Sequence, residues 1–288
     1  MTGKHSGYRW AILAVAFLVL LTSFSIRLAF ANVSTMLGKQ LALSTTTLGA
    51  MITAFYIGYV AANAGGGFVA DRIGSRKAIT GAMASLALFT GAFSQVGSAL
   101  GGYAVQCAMG LSAGVYFSAT TKLVGDWFPS RERGRAFGII AMPSSLSVIL
   151  TNSLFPLIVA SYSWQALYQF LGVYIACVAL ICATALRDAP PAAAAEPAPE
   201  QPAVPFRTLI TDRNFMLLAV GGFDGMWATW GFAFWVNALL VRAHGMNTIE
   251  AGRVAAIFGL GALIAKPIYG LISDMLPIPR KFLVVICF

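Results

Sequence analysis

Charge is scarce in this chain. Only 10% of its 288 residues are Asp, Glu, Lys or Arg, where a soluble domain carries about 25%, so a surface solvated all round is excluded. Acidic residues are the scarcer, ten against nineteen basic ones. The only histidines are His5, in the N-terminal tail, and His244, in a connection, and no Ser, Cys or carboxylate is spaced to form a catalytic set with either. Cys107, Cys177, Cys182 and Cys287 lie inside apolar runs, without the paired spacing of a disulfide framework or a metal site; they read as small buried hydrophobes. The glycines at 65 to 67 are not followed by the Lys and hydroxyl of a phosphate loop and read as helix packing. No enzyme activity, cofactor or metal is expected.

What the chain has in abundance is apolar surface: 58% hydrophobic residues and a mean hydropathy of +0.78, above the ~45–50% of soluble domains. Its net charge of +9 does not point to nucleic acid, because a nucleic-acid reader gathers its basic residues on one solvated face and here they fall between apolar runs. A spanning helix needs about 20 mostly apolar residues. Candidates lie near 10–33, 47–70, 78–97, 99–125, 136–160, 164–186, 214–241 and 248–273, giving an all-α polytopic membrane protein whose further partner is the lipid bilayer. A ninth run begins at "KFLVVICF", and Phe288 is reached after too few residues to cross a bilayer, so the sequence is expected to be cut short.

The first run resembles a secretory signal in having Lys4 and Arg9 before it and Ala29-Phe30-Ala31 after it. Its length from Trp10 to Ile26, Arg27 just before that site and the seven later runs argue for a retained helix instead. Short cytoplasmic loops carry the excess of Lys and Arg. With the N-terminus inside, Lys4, Arg9, Arg72, Arg76, Lys77, Arg131, Arg133, Arg135, Arg187, Arg207, Arg213, Arg280 and Lys281 fall on the inner side, against Lys39, Arg242 and Arg253 outside. A bacterial inner membrane with a cytoplasmic N-terminus is therefore expected.

The connection from 187 to 213 is rich in Ala and Pro, composed as a linker and not as a packed core. It divides residues 1–186, six spans, from residues 214–288, two spans and the start of a third. "GGFVADRIGSRKAIT" at 66–80 gathers four charges between apolar runs, and the Gly-x-x-x-Asp of Gly67 and Asp71 recurs at Gly270 and Asp274, shifted by 203 residues. Both copies follow the second helix of their half, as in a duplicated bundle.

Gly67, Asp71, Arg72, Gly74, Arg76 and Lys77 resemble, residue by residue, the loop signature between the second and third helices of the major facilitator superfamily. A degenerate copy stands at Gly270, Asp274, Arg280 and Lys281. The resemblance implies a six-helix N-terminal bundle, a partial C-terminal bundle and a charged corner that acts as a gating latch between rocking halves. "GDWFPSRERGRAFGI" and "SFSIRLAF" are similar to the anion:cation symporter branch, which implies an organic anion as substrate. Gln106, four residues before Gly110, stands where that branch commonly has arginine, and Met142-Pro143 where an antiporter would have Gly-Pro.

An ionisable group inside a membrane costs at least ~2.5–3.5 kcal/mol at a helix centre unless it is paired or lines a wet cavity. Arg27 resembles the substrate-binding arginine of relatives that carry phosphorylated solutes; the competing reading is an arginine snorkelling to the outer interface, since 17 residues from Trp10 place it about 25 Å along the helix. Asp224 and Lys266, ~15 and ~11 Å deep on consecutive helices, can form a pair that is structural or one that changes partners with a coupling ion. Lys122 and Asp126, four apart, read as a local pair. Trp227 and Trp230, and Tyr56 and Tyr59, read either as lipid-facing packing or, like Lys266, as substrate contacts.

The expected activity is secondary transport of a small organic anion with a coupling ion, proton or sodium, by a monomer. The alternatives are a transporter-like protein without transport activity and a proton-coupled exporter of a neutral or cationic solute. Reporter fusions check the topology: the 71–77 corner and the 187–213 linker should both face the cytoplasm, and reporters on opposite sides would overturn the span count.

Overall fold

A computed structural model describes residues 4–129, 132–188 and 206–275. Ten helices form in chain order: α1 (Lys4–Gln40), α2 (Thr45–Ile73), α3 (Ser75–Phe93), α4 (Ala99–Trp127), α5 (Arg133–Ala141), α6 (Pro143–Ser161), α7 (Trp164–Ala185), α8 (Phe206–Thr211), α9 (Arg213–His244) and α10 (Thr248–Met275). Pro143 has no N–H to continue the α5 ladder, so α5 and α6 meet there and run as one membrane-length segment over Gly134–Ser161. The six-residue α8 is too short to span. Eight long helical segments therefore remain among the described residues, at the positions the apolar runs mark, and five of them, Gly7–Gln40, Thr45–Ile73, Gly134–Ser161, Trp164–Ala185 and Thr248–Ala265, are long and apolar enough to cross a membrane. The start of a ninth run, Arg280 and Lys281 lie outside the described residues.

The helices begin where a short polar side chain can satisfy a free backbone N–H. Ser44 accepts from the N–H of Thr47 at 3.1 Å, Ser98 from Gly101 at 3.2 Å, Ser163 from Ala166 at 3.0 Å and Asp212 from Phe215 at 2.7 Å. Hydrophobic length decides that these segments span; the caps decide where each starts.

α1 lies at the middle of the assembly, packed against α6, α7, α4 and α9, with Ile12, Val19, Ala29, Val33 and Leu37 fully buried. α2 pairs with α4, and α3 with α7 and α4. The α2–α4 crossing brings backbone against backbone. A Cβ on Gly58 would lie 2.2 Å from the Cys107 carbonyl oxygen, and one on Gly110 1.9 Å from that of Phe55. Small residues at such crossings let helices gain dispersion contacts that lipid tails cannot match. On α6, Pro156 leaves the Asn152 carbonyl without its i+4 donor, and Gly252 of α10 approaches it so closely that a Cβ would lie 2.3 Å away.

The chain ends sort to two faces. At one, Tyr8 donates to the Ala185 carbonyl at 2.7 Å, Arg9 pairs with Glu132 at 3.0 Å, and Trp127 donates to the Arg187 carbonyl at 3.0 Å. At the other, Trp164 donates to Gln40 at 2.6 Å and Arg242 to Thr45 at 3.4 Å. On α9 the buried residues are Ala233, Val236 and Asn237, all towards this second face. Its earlier part, with Leu217, Phe223 and Trp227, is exposed.

The α2–α4 contact gives a direct test. Gly110→Ala should lower the stability of the purified protein by about 1–3 kcal/mol, the cost of overpacking, whereas Gly65→Ala, with open space at its Cβ, should leave it equal or slightly raised. Thermal unfolding in detergent reads both.

Candidate functional site: a buried arginine and a charged corner

Arg27 is 8% exposed near the middle of the helical assembly. One turn earlier on α1, Ser23 Oγ accepts from its Nη2 at 3.3 Å, and the Phe24 ring lies 5.2 Å from the guanidinium carbon. Across from α1, the ring of Tyr59 on α2 lies 4.1 Å from that carbon. The Nε has no hydrogen-bond partner, and neither ion pair found among the described residues involves Arg27. Cation–π contact returns ~0.5–2 kcal/mol, less than the cost of a buried cation with no counter-ion. The group is thus electrostatically unfinished.

Beside it lies a cavity of about 10 Å³, room for about one water. Tyr56 of α2, Gln106 of α4 and Phe234 of α9 share its walls with Arg27. Aromatic rings close it on the α9 side: Phe24 stacks on Trp230 at 5.8 Å and 15°, and Tyr56 meets Phe234 edge-on at 6.0 Å. The structure thus brings Arg27, Tyr56 and Tyr59 together, with Trp230 one ring away. Trp227 is 74% exposed, its ring against Phe223, and does not join them. Asp224 is exposed on the same stretch of α9, and the Lys266 side chain, on which the expected pair depends, lies outside the described residues.

Two members of the cluster were not among the residues expected to bind. Tyr116 of α4 is fully buried and its hydroxyl has no hydrogen bond, within electrostatic reach of Arg27. Gln106, 3% exposed, stood out in the sequence only as a departure from a pattern. Both sit on α4 among small residues, and the α2–α4 crossing that brings them to α1 has no local signature of its own.

The charged corner is built from four helix ends, those of α2, α3, α4 and α7. Asp71 at the end of α2 accepts from Lys122 of α4, so Lys122 reaches across helices, while Asp126 on its own helix and Asp188 add to the negative field around it. Gly74 has φ +88°, a conformation open to glycine, and a Cβ there would meet Asp188 Oδ2 at 2.7 Å. Asp188, just past α7, accepts from the Arg76 N–H at 2.9 Å, placing a carboxylate at the positive end of α3. Arg76 also donates to the Ala183 carbonyl. Arg72 and Lys77 are exposed, and Gly67 has open space at its Cβ; its neighbour Gly66 is the one packed on Val115. Gly270 and Asp274 fall inside α10, and their side chains lie outside the described residues.

Residues 14–288 match the family described as the Major Facilitator Superfamily. Over 95% of the chain there is 24% identity with a probable galactarate/D-glucarate transporter of Bacillus subtilis (strain 168), covering 66% of that protein. A hexuronate transporter of the same organism is 22% identical over 91% of the chain and 64% of its own length. The chain thus spans about two thirds of the length of the curated relatives it matches. Among solved structures, a bacterial homologue of the human lysosomal transporter Spinster, inward-facing and unoccupied, superposes with a TM-score of 0.78, 17% identity, 93% of this chain and 63% of that one. A D-xylose–proton symporter gives 0.68 at 16% identity, with 93% and 69% covered.

The Asp71–Lys122 pair is largely exposed, with 64% and 38% side-chain exposure, and so contributes about 0–1 kcal/mol to stability. Asp71→Asn should therefore leave membrane insertion and thermal stability nearly unchanged while lowering turnover of the full-length protein. Unchanged turnover would reduce the corner to a topology signal.

Proposed function

Because the chain belongs to the Major Facilitator Superfamily, we propose that it forms the larger part of a secondary transporter that moves a small organic anion across a membrane by alternating access. One observation carries this reading: Arg27 is a buried cation without a counter-ion among the described residues, beside a small cavity walled by α1, α2, α4 and α9. A carboxylate entering there supplies the missing charge and accepts from Nε, and an Arg fork binds a carboxylate in two-point geometry. The named substrates of the relatives, galactarate, D-glucarate and hexuronate, are hydroxylated acids of this kind.

In this reading Arg27 holds the acid group, and Tyr56, Tyr59 and Trp230 shape the cavity. Trp227 and Asp224, exposed on α9, and Lys266 of α10 are proposed as solute or coupling contacts outside the small cavity, with Asp224 and Lys266 as a pair. The 1–186 bundle rocks against the bundle beginning at 214 about the 187–213 linker, and Gly67, Asp71, Arg72, Gly74, Arg76, Lys77, Gly270 and Asp274 form the gating corner. Uptake is coupled to a proton or sodium, and the working unit is a monomer in the bacterial inner membrane. The inside-positive charge distribution supports a cytoplasmic N-terminus. With that orientation, the buried residues of α9, Ala233, Val236 and Asn237, lie towards the outer end.

The test is uptake of radiolabelled carboxylates and phosphate esters by the full-length protein. Arg27→Lys keeps the charge and loses the fork, and should weaken uptake. Arg27→Gln should lower it about ten- to a hundredfold at low substrate, the loss of charge-assisted hydrogen bonds, with expression preserved. Normal transport by Arg27→Gln would eliminate the anion site and favour a neutral or cationic solute.

A further inference from the structure

Three asparagines from three helices meet where α9 is held. Asn32 of α1, Asn152 of α6 and Asn237 of α9 are 8%, 3% and 8% exposed. Asn32 donates its amide to the Leu28 carbonyl at 3.2 Å, and Asn152 donates to the Val148 carbonyl at 2.9 Å. Each bond runs back one turn of its own helix, so both amide nitrogens are occupied at home and both carbonyl oxygens are left for a visitor. Asn237 is that visitor. Its Nδ2 donates to Asn152 Oδ1 at 2.6 Å and to Asn32 Oδ1 at 3.4 Å, while its own Oδ1 is buried with no partner.

We propose that this asparagine cluster is the releasable seal of the transport pathway at the end opposite the charged corner: it holds α9 against α1 and α6 in the present state and parts when that end opens. The proposal rests on the alternating-access reading above and adds to it the residues that hold one end shut. An unmade hydrogen bond in a dry interior is costly. Here one amide serves two acceptors at unequal distances and leaves its own oxygen unpaired. Such a contact is strong enough to close and incomplete enough to open, and when it parts each Asn237 polar atom gains water.

Position supports the same role. Asn32 lies five residues beyond Arg27, about 7.5 Å along α1, so the cluster stands next to the site on the side away from the charged corner. Phe234, whose ring meets Tyr56, lies one turn before Asn237 on α9, whereas the Phe24–Trp230 pair lies on the other side of Arg27. The buried part of α9 is confined to this turn, so no other buried stretch of α9 holds it in place of the cluster. The amides are uncharged, so separating them in a wet pathway frees no ion, unlike the parting of a salt bridge.

Ile26 reports the state of the seal, since it borders the small cavity at Arg27 and not the open groove at Thr45, Gly49 and Trp235. In the full-length protein with its native cysteines replaced, Ile26→Cys is labelled with a membrane-impermeant thiol reagent applied from each side in turn. No substrate is needed. The expected result is preferential labelling from the charged-corner side in the parent, and a rise of about tenfold in labelling from the opposite side in Asn237→Ala, the shift that one or two lost hydrogen bonds produce. The double variant Asn152→Ala with Asn237→Ala should add little to Asn237→Ala alone.

If Asn237→Ala does not accumulate in the membrane, Asn32→Ser, which removes only the longer bond, is read the same way with a smaller rise expected. Side preference unchanged in a folded variant overturns the seal. Loss of folded protein in both variants overturns it too, by making the cluster a core element. A parent labelled equally from both sides would instead overturn the alternating-access reading on which the seal depends, so the two failures are distinguishable.

Discussion

Hydrocarbon offers no hydrogen bonds and hardly screens charge, and the arrangement of this chain follows from that solvent. Backbone groups satisfy one another within helices, because nothing else in the bilayer can. Charges gather at helix ends, where Asp71, Lys122, Arg76 and Asp188 find one another at one face. Within the assembly many polar side chains bond to their own helix one turn back or to a facing helix, while the buried hydroxyls of Tyr116, Tyr168, Thr90 and Thr120 have no hydrogen-bond partner. Arg27 stands apart, since its surroundings give it rings and one hydroxyl and no opposite charge. Among the described buried residues Arg27 is the one charged side chain, and the proposed anion site rests on that.

The site is assembled by an interface with no polar chemistry of its own. Gly58 and Gly110 let α2 and α4 approach until backbones touch, and that approach sets Tyr56 and Tyr59 on one side of Arg27 and Gln106 and Tyr116 on another. A bulkier crossing would widen the gap between these walls by several ångströms. The helix-packing glycines therefore govern the size of the cavity as well as the strength of the bundle.

Much of this was legible in the sequence, and the limits have physical causes. Hydrophobic runs of membrane length gave the eight long helical segments, five of them apolar enough to span, because bilayer thickness sets their length whatever the neighbours are. The "ADRIGSRK" corner and Arg27 were legible because charge in an apolar setting is conspicuous. Partners across helices were harder. Three residues on a helix turn about 300°, leaving Trp227 and Trp230 some 60° apart, and the edge of burial on α9 passes between them, a boundary fixed by α1 and invisible from α9 alone. Asp188 was hidden by the Ala/Pro-rich stretch it opens, though it caps α3. The three asparagines are spread over 205 positions of sequence, from Asn32 to Asn237, and no short pattern joins them.

Pro156 gives Asn152 two duties. Its carbonyl, freed from the α6 ladder, receives Gly252 of α10 at close range, while its side chain receives Asn237 of α9. One residue thus touches both described helices of the second half, through main chain on one side and amide on the other. If α10 rolls on α6 at that glycine contact, the amides lie close to the fulcrum, where a given angle produces the smallest displacement. A hydrogen bond weakens over about an ångström, so with a short lever arm the amides stay bonded through small rolls and part only on a larger one, while the far ends of the helices sweep a larger arc.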